Sequence, residues 1–199
     1  MFLLWLAGCT TQIPIDEQAR LDSYAAHRDK LTELESWQLQ GRIAMSMEKD
    51  AWSATLHWTQ TDAEYELRLI APLGRGSFEL QGGDQGVTLR LEKNKVVRAD
   101  NPETLLQDNF GWTVPVSGLQ YWIRGIPEPD VKVKKMLLDE AGRISALEQA
   151  GWLVTYKQYS SQGVFELPGR IELANGKLKL RLVIKNWHIL KYAIIRPNA

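Results

Sequence analysis

The residues of this chain with reactive side chains are few and scattered. His27, His57 and His188 are the candidates for proton transfer or metal ligation, and none has a second histidine or a carboxylate at the spacing a metal site needs. His57 stands between Leu56 and Trp58 in an alternating stretch, so it points outward from its strand. The run Gly74-Arg75-Gly76-Ser77 lacks the strand, turn and helix setting of a phosphate loop, and there is no Gly-x-Ser-x-Gly elbow to present a nucleophile. Carboxylates are plentiful but fall mostly in turns or at outward strand positions, where a solvated face explains them. The expectation is a protein that is not an enzyme and that uses neither cofactor nor metal.

Composition narrows the field further. Lys plus Arg and Asp plus Glu number 24 each, so no global field draws the chain to nucleic acid, whose affinity comes largely from phosphate neutralisation. At 199 residues it fits one domain with one core. The lone cysteine, Cys9, permits no internal disulfide. It follows Leu6-Ala7-Gly8, which closes the apolar run Phe2-Leu3-Leu4-Trp5. This resembles the lipobox of bacterial lipoproteins, in which the cysteine is acylated and becomes the first mature residue. Only eight residues precede it, none of them Lys or Arg, which is short for a secretory signal. Residues 1–8 are therefore expected to be the remnant of a lipoprotein signal peptide whose precursor begins further upstream. Residues 9–16 are expected to be the acylated cysteine and a tether.

The stretch that organises the rest covers residues 52–80. Trp52, Ala54, Leu56 and Trp58 share one face, as do Tyr65, Leu67 and Leu69, the period-two pattern of half-buried strands. The turn Ala71-Pro72-Leu73-Gly74 carries a bare leucine at its tip, where turn chemistry favours Asn, Asp or Ser. Before it, Leu21, Tyr24, Leu31 and Leu34 predict a helix over 17–34 with a narrow apolar stripe. A strand is predicted over 37–47. After it come strands at 76–81, 87–91 and 96–99. Asn101-Pro102 then starts a helix that stops at Gly111, and a second short helix covers 116–123. Strands resume at 131–138, 144–148, 152–159, 170–173 and 178–187.

Connections this short force antiparallel pairing. Ten or eleven strands with one apolar face each would curl into a barrel or half-barrel with an apolar, roomy interior. A flattened sandwich without a cavity satisfies the same alternation. Lys177, Lys179, Arg181 and Lys185 give the last strand a basic outer face. Two readings stand for it: contact with acidic lipid head groups or an acidic partner, or lysines that deter edge pairing.

In order along the chain, the Gly41 strand, Trp58, Tyr65, Pro72-Leu73-Gly74, Trp122-Ile123 with Gly125 and Pro127, Trp152 with Tyr156, and Asn186-Trp187 resemble the LolB family of Gram-negative outer-membrane lipoprotein receptors. The resemblance implies a mainly β fold, an open antiparallel barrel of about eleven strands, with an N-terminal helix and short helices forming a lid, as a single domain over 17–188. Residues 189–199 show no family pattern.

The resemblance also implies a monomer held on the periplasmic face of the outer membrane through Cys9. It would accept acylated lipoproteins from the periplasmic carrier LolA and place them among the outer-membrane phospholipids. Thr10 follows Cys9, where sorted lipoproteins of that system usually carry Asp for inner-membrane retention, and the absence of Asp fits an outer-membrane destination. Pro72, Leu73 and Gly74 would form the membrane-insertion loop. Trp52, Trp58, Leu67, Trp122, Trp152 and Tyr156 would line the acyl-chain cavity, although core packing explains each of them equally well. The competing readings are a lipocalin-like carrier of a free fatty acid or small lipid, and a structural lipoprotein with a filled core.

Overall fold

In the computed structural model, residues 17–48, 50–72, 76–176 and 178–191 are described. Cys9, Leu73, Gly74 and Lys177, and the tail beyond Lys191, lie outside the described residues. Alternation decides the strands as predicted. In β1 (Ser36–Ser46) every second residue from Trp37 to Met45 is buried, and β2 (Ala51–Thr61) and β3 (Glu64–Ile70) bury Leu56, Trp58, Leu67 and Leu69 against it. β4 (Ser77–Gly83), β5 (Gly86–Arg90) and β6 (Val96–Ala99) continue the meander. After α2 (Pro102–Phe110) and α3 (Val116–Trp122) come β7 (Val133–Leu138), β8 (Ile144–Gln149), β9 (Trp152–Gln162), β10 (Phe165–Asn175) and β11 (Leu178–Lys191). The result is one 11-stranded sheet in the order β6-β5-β4-β3-β2-β1-β11-β10-β9-β8-β7.

The strand pairs are antiparallel throughout, and the two halves of the chain are joined by β1 pairing with β11. The edges β6 and β7 are consecutive in sequence yet do not pair, so the barrel is open there. The segment bridging the gap carries α2 and α3. Asn101 caps α2, its side-chain oxygen accepting from Thr104 N at 2.9 Å, with Pro102 at the first helical position and Gly111 ending the helix at φ 71°.

Three elements depart from the sequence expectations. β10 starts at Phe165 rather than 170, because β9 pairs with Phe165–Pro168 across a register slip at Pro168/Arg170; Pro168 and Gly169 mask that strand in the sequence. β11 continues past Trp187, with Ile189 opposite Trp37 and Lys191 opposite Ser36, so the strand takes in residues read as an unassigned tail. The first helix, α1 (Glu17–Thr32), buries Leu31 but leaves Leu21 44 % exposed, and Leu34 is buried beyond the helix end. The stripe is thus narrower than predicted, because α1 meets the body at few points. One is the turn at Gly142 (φ 78°), where a Cβ would stand 2.6 Å from that of Ser23. A Cβ on Gly41 would lie 2.4 Å from Val183 O, so that glycine lets β1 and β11 approach at their register slip.

Candidate functional site

The concave face of the sheet is apolar, and the α2–α3 segment fills it. Phe110 and Trp112 stack at 4.6 Å between ring centroids, Phe110 lies 4.9 Å from Phe78, and Trp112 lies 5.0 Å from Trp52. Two rings from the sheet therefore meet two from the bridging segment. Val114, Val116 and Leu119 extend this contact inward, and the space left beneath them is a cavity of about 40 Å³ lined by apolar side chains. The interior is thus not the roomy space the strand number suggested: α2, α3 and the link between them occupy it.

Outside this plug, at the end of β2–β5 that carries the Asp62 and Asp84 turns, lies an open groove of about 1070 Å³. Trp58 and Val116 line both spaces and so form the partition between them. The groove is rimmed by Glu35, Asp62, Asp84, Asp100 and Glu128, with Arg28 and Arg124 as its cations. Trp37 Nε1 and Tyr65 Oη are buried beside it without hydrogen-bond partners among the described residues. Burial, with a smaller contribution from the Glu103 charge, holds the Tyr65 phenol well above its usual range.

Two polar residues fix the inner edge of the plug. Gln149 is 1 % exposed and uses both ends of its amide. Its Oε1 accepts from Trp122 Nε1 (2.8 Å) and Glu128 N (2.9 Å), and its Nε2 donates to Glu128 O (2.9 Å) and Val131 O (2.7 Å). Arg124 Nη1 donates to Leu31 O (3.1 Å) and Leu34 O (2.9 Å), and its Nε to Gln120 O (3.1 Å). The Leu31 and Leu34 carbonyls lie at and just beyond the C-terminal, negative end of α1. Burial lowers the guanidinium pKa to about 10. Arg124 therefore ties the end of α3 to the end of α1.

The predicted cavity residues divide into two groups. Trp52, Trp58 and Leu67 line the 40 Å³ cavity. Trp122, Trp152 and Tyr156 are buried in the other half of the structure, where Tyr156 Oη donates to Trp122 O at 2.9 Å and Trp122 is held by Gln149. Desolvation raises the Tyr156 phenol well above its normal value. Pro72 is exposed just past β3, in a hairpin closed by Ala71 N donating to Gly76 O at 3.0 Å. Phe110, Trp112, Gln149 and Arg124 had not been singled out in the sequence. The αL stop at Gly111 between two aromatics was the one local signal for the first two.

A family model described as outer membrane lipoprotein LolB matches residues 35–187. This chain belongs to the LolB family. The outer-membrane lipoprotein LolB of Nitrosococcus oceani is 42 % identical over 190 residues, covering 95 % of this chain and 94 % of that one. The protein of the same name from Pseudomonas aeruginosa is 38 % identical over 181 residues, covering 91 % and 88 %. Among solved structures, a LolA superfamily protein from Nitrosomonas europaea superposes with a TM-score of 0.54 at 8 % identity, covering 87 % of this chain and 93 % of that one. A putative outer membrane lipoprotein-sorting protein domain from Vibrio parahaemolyticus gives 0.51 at 10 % identity, covering 89 % and 94 %. At that identity these two speak for the fold alone. LolB membership places this chain among outer-membrane lipoproteins and outside the enzyme families. The open sheet with a helical plug is then the LolB framework on which a binding role has to be built.

Proposed function

We propose that this LolB-family chain, anchored through acylated Cys9 on the periplasmic side of the outer membrane, takes acylated lipoproteins from a LolA-type carrier and inserts them into the inner leaflet. Each acyl methylene left in water costs about 0.8 kcal/mol, so the anchor of a lipoprotein needs an apolar container between membranes. The observation that carries this reading is an apolar sheet face plugged by rings on a segment that crosses an unpaired gap.

A cavity of about 40 Å³ is far below the roughly 300–1,000 Å³ of ligand pockets. Loading therefore requires Phe110, Trp112 and Val116 to move outward. Because β6 and β7 do not pair, the segment can swing without breaking a ladder between them. Trp58 and Val116, shared by groove and interior, are the threshold the acyl chains cross. Refilling by the plug returns the chains, so the site holds cargo without trapping it. Of the predicted cavity residues, Trp52, Trp58 and Leu67 belong to this path; Trp122 and Tyr156 anchor α3 to the wall behind it.

Binding of a diacylated lipopeptide, followed by tryptophan fluorescence, tests the proposal. In Trp112→Ala the bound acyl chain no longer has to displace a ring, and lipopeptide affinity is expected to rise about tenfold, the equivalent of roughly 1.4 kcal/mol of apolar burial. Unchanged affinity would remove the plug from the mechanism. A wild-type protein that ignores lipopeptide and binds free fatty acid would transfer the conclusion to the small-lipid carrier.

A further inference from the structure

The basic strand at the end of the sequence gains a different meaning from its position. β11 lies between β1 and β10, in the middle of the sheet, so its outward cations guard no edge. They belong to a larger patch. Arg42 on β1, Lys157 on β9, Arg170 on β10, and Lys179, Arg181 and Lys185 on β11 are all exposed. Glu172 is the one carboxylate contributed by β1, β9, β11 and residues 170–175 of β10. It is already engaged by Arg170 at 3.2 Å, Arg181 at 3.3 Å and Lys157 at 3.9 Å. In a chain with formal net charge 0, this face is a local concentration of positive charge.

Its relief and its neighbours are equally specific. Cross-strand register sets Thr155, Glu172, Arg181, Ala44 and Ser53 in one row, and Leu153, Ala174, Lys179, Ser46 and Ala51 in the next. The small residues of these rows line a shallow groove of about 670 Å³, from which Lys179 and Arg181 rise. Leu153 and Val183 are 49 % and 38 % exposed on the same face. One row further, Arg42 is followed across the sheet by Thr55 and then Ile70, which is 43 % exposed and immediately precedes the hairpin that carries Pro72. The patch is thus continuous with the base of that hairpin.

We propose that the outer face of β9, β10, β11 and β1 docks on the head groups of an anionic phospholipid bilayer and so orients the 71–76 hairpin toward the lipid. A protein partner would call for a desolvated core of aromatic or aliphatic anchors, whereas here the cations are spread at sheet spacing and the apolar side chains stand singly. A plane of phosphates fits that spread, and isolated Leu153 and Val183 need enter only the head-group boundary. The membrane setting rests on the delivery reading, but the docking itself requires no cargo.

Co-sedimentation of the full chain carrying Cys9→Ser, which cannot be acylated, tests the surface with no lipoprotein present. The probes are vesicles of phosphatidylcholine alone and of phosphatidylcholine with phosphatidylglycerol. Partitioning is expected to the anionic vesicles, to fall in high salt, and to weaken about 100-fold in the triple variant Arg42→Gln, Lys179→Gln, Lys185→Gln, about fivefold per cation. None of these three engages Glu172 among the described ion pairs, so the sheet is left intact. A control triple on the far edge, Lys132→Gln, Lys134→Gln, Lys135→Gln, is expected to change partitioning far less. No preference for anionic vesicles, or equal loss in both triples, would overturn the surface. Vesicle docking together with failed cargo transfer would instead overturn the receptor reading and leave the surface standing.

Discussion

The Leu73→Glu protein is expected to fold normally, accept a lipoprotein and fail to place it in a bilayer. Leu73 follows exposed Pro72 in a hairpin whose neck is fixed by the Ala71 to Gly76 hydrogen bond and by Ile70 opposite Ser77. Pro72 is exposed and contributes nothing to the buried cluster. Stability should therefore stay within about 0.5 kcal/mol of wild type, as for other surface substitutions. Insertion is another matter. Transferring an exposed leucine into an apolar medium gains roughly 1.5–3 kcal/mol, and a carboxylate reverses that preference. A ten- to hundredfold loss in the rate of lipoprotein appearance in liposomes is expected, with loading from the carrier unchanged. Wild-type insertion by this variant would remove the hairpin from the mechanism; a matching loss in loading would make it part of the entrance.

The Gln149→Leu protein should be the least stable of the single variants. Leucine matches the volume of the glutamine closely but leaves Trp122 Nε1, Glu128 N, Glu128 O and Val131 O without their partner. Each buried polar group left unpaired costs about 1–3 kcal/mol. Glu128 and Val131 are half-buried, so water recovers part of this. A net loss of about 3–5 kcal/mol is expected in urea unfolding, a large share of the roughly 5–15 kcal/mol that holds a domain folded. A loss under about 1 kcal/mol for Gln149→Leu would mean that α3 is held by its apolar contacts alone.

The two variants also mark what can and cannot be seen in the sequence. Alternation in residues 37–47, 52–58 and 65–69 translates directly into β1, β2 and β3, because one solvated face and one buried face impose period two. Asn101, Pro102 and Gly111 likewise announce α2 with its cap and stop. The gap between β6 and β7 is implied by the same helices, since their insertion into a meander leaves two strands apart. What stayed hidden depends on distant partners. Gln149 looks like an ordinary polar residue before a turn, and its four contacts lie 18 to 27 positions away. Arg124 reads as a surface cation after a short helix, yet it is bound by carbonyls 90 and 93 residues earlier. The filled interior was illegible for a related reason: strand count sets the volume a sheet can enclose, and the rings of Phe110 and Trp112 decide how much of it remains.

The position of β11 shows the same limit from the other side. Its basic face was plain in the alternation of residues 178–185, but alternation carries no information about which strand lies beside which. Only the pairing of β11 with β1 and β10 separates an edge defence from a surface that meets something negative.

The measurement that bears most directly on the whole account is a transfer experiment. The Cys9→Ser chain is mixed with LolA carrying an acylated lipoprotein, with liposomes present or absent, and the location of the lipoprotein is followed. Movement from LolA to this chain is expected when no liposomes are present, and onward into the liposomes when they are. Lipoprotein that stays on LolA while the folded chain binds free fatty acid would contradict it.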